Sequence, residues 1–443
     1  MSADIHEILE SAFVPKLLKN IDDFQLSDEL FAEFKEQQTI NTQILFDGIQ
    51  QYKKTENTFD SKIKSTLIVL FSERLANYKT ACYKDENKRQ TEYMKSTVLE
   101  LMKNIDKSTL EKILSYYTEK LNSDSWRTEI GALNGFVNFI EYYLESNRFK
   151  DQWLHFSLSI GFKLTQLHDE EWKSLGLSVL DVILTKGDTQ QIEDSNIHNL
   201  IYDEVSKILL GSSSDILTCE ANNTLLKFLK FSNCGVEDWG KRDDIIQLNI
   251  RKLKLSSSAE LCSNIVNTIS KVALKGELDL IFTGTLKLSS LDKVCDECKE
   301  FDNVLAMRWS KTILETISNI VLFLNTTNTL KAKELITSFS RSYLVFVYLV
   351  PKIVLQYQMG MIEKLVTSIF DTTTMHEENE YLEELIVFLT IIQKHMKSSK
   401  HTFEESESLE KQLESCLCKV EKIKDVNKIL ESYSFVVLMF IGL

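Results

Sequence analysis

Apolar residues recur at intervals of three and four positions along most of the chain, which is the spacing of an amphipathic α-helix with one buried stripe. The pattern is clearest between residues 94 and 231. One such stripe consists of Ile130, Leu133, Phe136, Val137, Ile140 and Leu144. Polar breaks at 122–125, 187–188 and 211–215 contain serine and aspartate, which are suited to cap helices. The pattern predicts helices of roughly 12 to 20 residues joined by short turns.

A fixed interval between similar segments predicts how these helices are arranged. Residues 126–133 are echoed by residues 172–179, and the leading residues Trp126 and Trp172 lie 46 positions apart. Trp309 follows Trp172 by 137 positions, which is close to three more intervals. Repeats of about 40 to 47 residues are typical of HEAT-type helix pairs, which bury their apolar faces by stacking. The sequence therefore predicts an all-α fold, an α-solenoid of HEAT-like antiparallel helix pairs.

Proline and glycine are scarce, which supports a chain that is helical almost throughout. The 443 residues include 2 prolines and 13 glycines, whereas average usage is about 5% proline and 7% glycine. A chain of this length exceeds the size of a single hydrophobic core, which favours a stack of repeats. We expect an N-terminal helical region at 1–93, HEAT-like repeats at 94–291 and C-terminal HEAT-like repeats at 292–443. The charged stretch 84–95 and the polar stretch 232–241 are interpreted as connections between helices.

The formal charge of −14 argues against phosphate-rich ligands. Proteins that bind nucleic acid or anionic membrane surfaces neutralise phosphates with basic residues, so neither is expected as a partner. The most apolar segments, 343–355 and 434–443, fall short of the roughly 20 apolar residues that are needed to cross a bilayer. We expect both segments to be buried helices.

The cysteines and the start of the chain bear on its compartment. Eight cysteines are spread over the whole length, and the first residues lack the pattern of a secretory signal. This usage indicates free thiols in a reducing compartment. We expect a cytoplasmic location, with the nucleus as a second location.

No segment predicts a catalytic residue, a cofactor or a metal ion. Cys295 and Cys298 have the spacing of a zinc-ligand pair, but structural zinc requires four ligands. The next close pair is Cys416 and Cys418, about 120 residues later, so we interpret these cysteines as incidental. The segment 168–171 places a histidine beside three carboxylates, and we interpret it as a helix cap. Phosphate-binding loops and the nucleophile elbow of hydrolases are absent, so the sequence indicates a non-enzymatic protein.

The five tryptophans have two interpretations. Tryptophan is enriched at the centres of protein interfaces, but a buried position in a repeat core is the commoner case. Trp239 lies in the polar segment 237–241 and is the tryptophan that we most expect to be exposed. The candidate partner-binding residues are Trp239, Arg308 and Trp309.

The block 153–180 resembles the central signature of the Tel-two-interacting protein two family, a subunit type of the Triple-T complex. In that family a helix led by tryptophan is followed by an acidic turn and by a helix that contains Leu-Gly-Leu. The matching features of this chain are Trp153, the turn 168–171 and residues 175–177. Further similar segments are 222–229, 308–323 and 343–366.

The resemblance implies a non-enzymatic scaffold subunit of a co-chaperone complex, bound to two larger helical-repeat partners. It also implies that this complex, together with Hsp90 machinery, supports the maturation and stability of phosphatidylinositol-3-kinase-related kinases. The most apolar helices lie in the C-terminal half, which we expect to dock a partner's repeats. Two alternatives stay open. One is a karyopherin-like or other HEAT-repeat adaptor that presents acidic inner helices to basic protein cargo, and the other is an enzyme with a deep pocket.

Overall fold

The structure is a computed structural model in which every described regular element is helical. It describes residues 5–13, 32–55, 59–76, 88–103, 105–124, 126–149, 151–231, 236–256 and 258–273, together with residues 312 and 411. These ranges contain no strand. The predicted fold class is confirmed: the chain is all-α, an α-solenoid of HEAT-like antiparallel helix pairs.

The described ranges contain 13 α-helices. Their bounds are α1 Ile5–Ser11, α2 Ala32–Thr55, α3 Ser61–Leu75, α4 Lys88–Lys103, α5 Lys107–Leu121, α6 Ile130–Asn138, α7 Gln152–Thr165, α8 Glu170–Lys186, α9 Thr189–Asp194, α10 Ile197–Gly211, α11 Asp215–Phe228, α12 Val236–Leu255 and α13 Ala259–Ala273. A π-helical turn, Phe139–Tyr143, extends α6. Single 3₁₀ turns lie at Trp126–Thr128, Ser146–Arg148 and Leu229–Phe231.

The chain divides into two compact units, Met1–Glu204 and Val205–Leu443, and the division falls inside α10. The predicted boundary after residue 93 lies within α4. The predicted boundary after residue 291 lies outside the described residues. The division into three regions therefore stays a prediction.

Two stretches that we interpreted as connections are partly helical, and the interpretation was wrong for those parts. In the charged stretch 84–95, helix α4 begins at Lys88, and Met94 is already buried. In the polar stretch 232–241, helix α12 begins at Val236. A helix whose first turns contain mostly charged and polar residue types has too few apolar residues there for its period to show in the sequence.

Aspartate residues in the polar breaks cap the helices that follow, as predicted. The Asp188 carboxylate accepts the backbone N–H of Gln191 at 3.0 Å, at the start of α9. In the acidic segment 168–171, the Asp169 carboxylate accepts the backbone N–H of Glu171 at 2.8 Å. Each bond satisfies one of the N–H groups that a helix leaves open at its first turn. The interpretation of segment 168–171 as a cap is confirmed.

The core of the first unit is built on the predicted apolar stripe and on a ladder of aromatic rings. All six residues of the stripe between Ile130 and Leu144 are at most 3% exposed. Tyr117 of α5, Phe136 of α6 and Phe156 of α7 follow one another, with ring centroids 5.4 and 5.0 Å apart. Both contacts are T-shaped, an arrangement worth about 0.5–1.5 kcal/mol beyond the burial of area. The ladder joins three successive helices.

Helices α7 and α8 approach each other closely because each carries a glycine at the crossing. A Cβ atom at Gly176 would lie 2.9 Å from the backbone nitrogen of Thr165 and 3.0 Å from the carbonyl oxygen of Gly161. In the same way, a Cβ atom at Gly135 of α6 would lie 3.0 Å from the Cα atom of Glu73 in α3. Backbone atoms cannot move aside as a flexible side chain can, so these glycines set the distance between the helices.

Basic side chains bridge positions that are about one repeat apart. Each donates to a backbone carbonyl at the end of an earlier helix or just beyond it. Carbonyls at these positions lack intrahelical donors and attract cations. The donor and acceptor residues are 40 to 46 positions apart. The pairs are Arg148 and Met102, Lys163 and Leu121, Lys186 and Leu144, and Lys252 and Ser212. These contacts have the interval of about 40 to 47 residues that is typical of HEAT repeats.

The tryptophan pair from which this interval was predicted is not structurally equivalent. Trp126 lies in a 3₁₀ turn that precedes α6, whereas Trp172 lies in the first turn of α8. The predicted alignment of segments 126–133 and 172–179 is therefore wrong in register. Aromatic residues are common in repeat cores, so two of them can fall at the repeat interval without occupying the same position.

A different pair of segments does repeat. Residues 212–224 match residues 256–268 at an offset of 44 positions: both begin with three serines, both have leucine at the sixth position, and both end in Asn-Thr. In each turn the first serine hydroxyl accepts the backbone N–H of the third serine at 3.1 Å. The third serine then caps the following helix, α11 or α13. These two helices are equivalent members of successive repeats, and they pack against each other.

Replacement of Lys186 by methionine tests the carbonyl bridge in the first unit. The ammonium donates to the carbonyl oxygens of Ile140 at 2.9 Å, Glu141 at 2.6 Å and Leu144 at 3.0 Å. Methionine keeps most of the apolar stem but donates nothing, so we expect the free energy of unfolding to fall by about 2 kcal/mol. Urea unfolding followed by circular dichroism measures this loss. Lys186→Arg, which keeps the donors, should recover part of it, and equal losses for both variants would contradict the bridge.

Candidate functional site

The side chains of the three residues predicted to contact partners lie outside the described residues. Trp239 lies in the first turn of α12, and its side chain lies outside the described residues. Arg308 and Trp309 also lie outside the described residues. Their role in partner binding stays a prediction.

Three other tryptophans belong to the core, as the commoner interpretation predicted. Trp126, Trp153 and Trp172 are 7%, 7% and 4% exposed. The Trp126 ring is in addition contacted by two cations, the Arg127 guanidinium at 5.0 Å and the Lys163 ammonium at 5.7 Å from its centroid. A cation within about 6 Å of a ring is attracted by its electron-rich face. These tryptophans therefore stabilise the repeats and are poorly placed to contact a partner.

A polar cluster lies between α3 and α5 and includes the buried residues Glu73 and Tyr117. The Tyr116 hydroxyl donates to Oε1 of Glu73 at 2.9 Å, and Glu73 is almost fully buried. Burial, and secondarily the Glu73 charge, raise the pKa of both Tyr116 and Tyr117 far above the ordinary value. Both phenols stay protonated at neutral pH, so they act as hydrogen-bond donors and are poor bases or nucleophiles. The cluster fastens α5 to α3.

The two described thiols are similarly unreactive. Burial, together with the Asp215 and Glu260 carboxylates, raises the pKa of Cys219 to about 11. Burial also raises the pKa of Cys262. The thiolate is the reactive form of cysteine, so neither residue has the character of a nucleophile. Cys295, Cys298 and the pair at 416 and 418 lie outside the described residues.

Slow modification of Cys219 and Cys262 by iodoacetamide at pH 8 is the expected consequence. In the native chain we expect labelling at least about tenfold slower than after unfolding in urea, because the thiolate fraction is small. The Cys219 pKa also makes stability depend on pH: its contribution is complete below the ordinary thiol value and is lost as the pH rises through about 11. Peptide mass spectrometry resolves each cysteine, and equal rates in both states would contradict the prediction.

The described residues also bear on metal binding and on membrane insertion. Within the described ranges, no group of three or more histidine, cysteine, aspartate and glutamate side chains is placed to hold a metal ion. Among the helices that the structure describes, none combines the length and the apolar character required to cross a bilayer. The apolar segments 343–355 and 434–443 lie outside the described residues.

Exposed apolar side chains mark the described surfaces on which a partner could bind. In the first unit, Ile40 and Ile44 lie one turn apart on α2, and both are about half exposed. In the second unit, Leu210 is 58% exposed at the end of α10, and Leu255 is 85% exposed at the end of α12. One serine turn begins at Ser256, directly after Leu255, and the other at Ser212, one residue beyond Gly211, which follows Leu210. Sequence reasoning missed this second group because the exposure of single leucines cannot be read from the helical period.

Comparisons with known proteins identify a similar fold but assign no family. No protein-family model matches the chain, and no curated protein sequence matches it. Among solved structures the chain is similar to importin beta, with a TM-score of 0.52 at 10% sequence identity over 98% of this chain and 49% of that chain. It is also similar to Kap121p bound to RanGTP, with a TM-score of 0.41 and 13% identity over 92% of this chain and 46% of that one. An engineered protein matches with a TM-score of 0.39 and 14% identity over 93% of this chain and 98% of its own.

At such low identity the likeness to importin beta shows the fold alone. The chain spans about half the length of the importin beta chain that it matches. Importin beta and this chain therefore share a helical-repeat architecture.

Proposed function

We propose that the chain is a non-enzymatic scaffold subunit of a co-chaperone complex that supports the maturation and stability of phosphatidylinositol-3-kinase-related kinases. It acts through helical-repeat interfaces with two larger helical-repeat subunits, and indirectly with Hsp90 machinery. It works in the cytoplasm, with the nucleus as a second location. It needs no cofactor, nucleic acid or membrane for this role.

The observation that carries the proposal is the resemblance of block 153–180 to the Tel-two-interacting protein two family. In this chain the block is the α7–α8 pair, whose tryptophan-led helix, acidic cap and Leu-Gly-Leu segment form one closely packed repeat. The helical-repeat fold supports the proposal because such stacks present long, semi-rigid surfaces that two partners can share. The phenol of Tyr116 and the thiol of Cys219, whose pKa values are raised, add support, since neither has the character of a catalytic group.

Depletion of the protein in its native cells tests this function. If the chain supports the kinases, their steady-state amounts should fall several-fold after depletion, while their transcripts stay constant, because unprotected kinases are degraded. Re-expression of the chain should restore the amounts. Unchanged amounts of every phosphatidylinositol-3-kinase-related kinase after complete depletion would refute the proposal.

A karyopherin-like adaptor is the second candidate, and the likeness to importin beta supports it equally. The net charge of −14 suits a protein that presents acidic helices to basic cargo. Pull-down with RanGTP and with lysine-rich peptides distinguishes the two functions. Salt-sensitive retention of both, with release of the peptide on addition of RanGTP, is expected only of the adaptor.

A further inference from the structure

Successive repeats of the second unit place basic residues in equivalent positions. With the 44-residue offset, Lys207 of α10 corresponds to Arg251 of α12, and both are exposed. Lys254, in the last turn of α12, is exposed as well. The two helix ends are held together because the Lys252 ammonium donates to the carbonyl of Ser212, just beyond α10. Three exposed cations thus lie along one edge of the second unit of a chain whose net charge is −14.

The same edge exposes leucines. Leu210 is 58% exposed and Leu255 is 85% exposed, each near the C-terminal end of its helix. With the 44-residue offset, Leu210 corresponds to Lys254, so an exposed leucine and an exposed cation occupy equivalent positions. Leucine is among the residue types most often buried, so two exposed leucines at these helix ends are candidate contacts for an apolar partner. We call the set Lys207, Leu210, Arg251, Lys254 and Leu255 the basic-leucine surface. Asp215 and Glu260, at the starts of α11 and α13, border it with negative charge.

We propose that the basic-leucine surface binds an acidic protein segment that carries leucine or phenylalanine side chains. The apolar side chains cover the two leucines, while glutamate or aspartate residues of the segment pair with Arg251 and Lys254. The carboxylates of Asp215 and Glu260 limit the site to the side of α10 and α12 and disfavour a basic ligand. An anionic bilayer is broad enough to meet the Asp215 and Glu260 carboxylates as well, whereas a short segment can avoid them, so a peptide is the better match.

This inference stands apart from the proposed co-chaperone function, since either a co-chaperone scaffold or an adaptor could use the surface. The test uses the full chain and a short fluorescein-labelled peptide in which leucine pairs alternate with glutamate pairs. Fluorescence anisotropy measures the dissociation constant. We expect saturable binding, and at least about tenfold weaker binding after exchange of the peptide's glutamates for lysines or its leucines for serines.

Variants of the protein locate the binding site. We expect Arg251→Glu with Lys254→Glu, and separately Leu210→Ser with Leu255→Ser, to weaken peptide binding about tenfold each. The matched controls are Lys230→Glu, at an exposed lysine in the 3₁₀ turn that follows α11, and Leu99→Ser, at an exposed leucine of the first unit. Both variants should bind the peptide normally.

Several results would overturn the inference. These are an absence of binding to the glutamate and leucine peptide, equal binding of the lysine peptide, and unchanged affinity in both double variants. Losses as large in the control variants as in the double variants would also overturn it, as would co-sedimentation with phosphatidylserine vesicles that is tighter than peptide binding. Thermal melting of each variant verifies folding, and all four side chains of the double variants are exposed, so little loss of stability is expected.

Discussion

Replacement of Phe136 by alanine is expected to lower the free energy of unfolding of the first unit by about 3–5 kcal/mol. Phe136 is fully buried in α6 and lies between the rings of Tyr117 and Phe156. Alanine would leave a cavity in the middle of the aromatic ladder, and the ring-to-ring contacts on both sides would be lost. The backbone of α6 already lies against that of α3 at Gly135, so these helices cannot move closer together to fill the cavity.

Thermal and urea unfolding measure this effect. For a unit of this size the melting temperature should fall by about 10 °C. The matched control is Tyr142→Ala, which removes an aromatic ring that is 62% exposed and should change the stability by less than about 0.5 kcal/mol. Phe136→Leu should lose less than Phe136→Ala because it fills part of the cavity. A stability change of Phe136→Ala no larger than that of Tyr142→Ala would show that α5, α6 and α7 do not form this core.

Replacement of Gly176 by alanine is expected to destabilise the α7–α8 pair by about 2 kcal/mol. Two effects oppose each other. Alanine favours a helix over glycine by about 1 kcal/mol, but its methyl group would lie 2.9 Å from Thr165 N and 3.0 Å from Gly161 O. Overpacking typically costs about 1–3 kcal/mol, and the upper end of this range applies here because neither backbone atom can turn away. The steric effect therefore prevails.

The control for this substitution is Gly240→Ala in α12. A Cβ atom there has no neighbour within 4 Å, so only the helix preference remains. We expect Gly240→Ala to stabilise the second unit by about 0.5–1 kcal/mol. The two variants should thus change stability in opposite directions in the same urea titration. Stabilisation by Gly176→Ala would mean that α7 and α8 are farther apart than the structure has them.

The sequence predicted the fold class because burial follows the helical period. The stripe between Ile130 and Leu144 is buried as its spacing predicts. Asp188 and Ser214 of the polar breaks, and Asp169 of the segment 168–171, cap helices as their residue types predict. The early starts of α4 and α12 were missed because a charged first turn carries no apolar period. Spacing along the sequence also could not show whether Trp126 and Trp172 occupy equivalent positions in their repeats.

The contacts that hold successive repeats together could not be predicted from the sequence. A lysine that caps a carbonyl some 40 positions earlier, such as Lys186 at Leu144, looks like any other surface lysine in the sequence. The basic-leucine surface was missed for a similar reason, because its members are dispersed along α10 and α12, and the equivalence of these helices follows only from the 44-residue offset. The predicted partner residues Trp239, Arg308 and Trp309 remain to be tested.

Affinity purification of the full chain from its native cells, with quantitative mass spectrometry, tests most directly the claim that it is a scaffold for other helical-repeat proteins. We expect two larger helical-repeat subunits in amounts near that of the chain, together with smaller amounts of Hsp90 machinery and phosphatidylinositol-3-kinase-related kinases. Recovery of the chain alone, or with Ran and basic cargo in place of those subunits, would contradict the account.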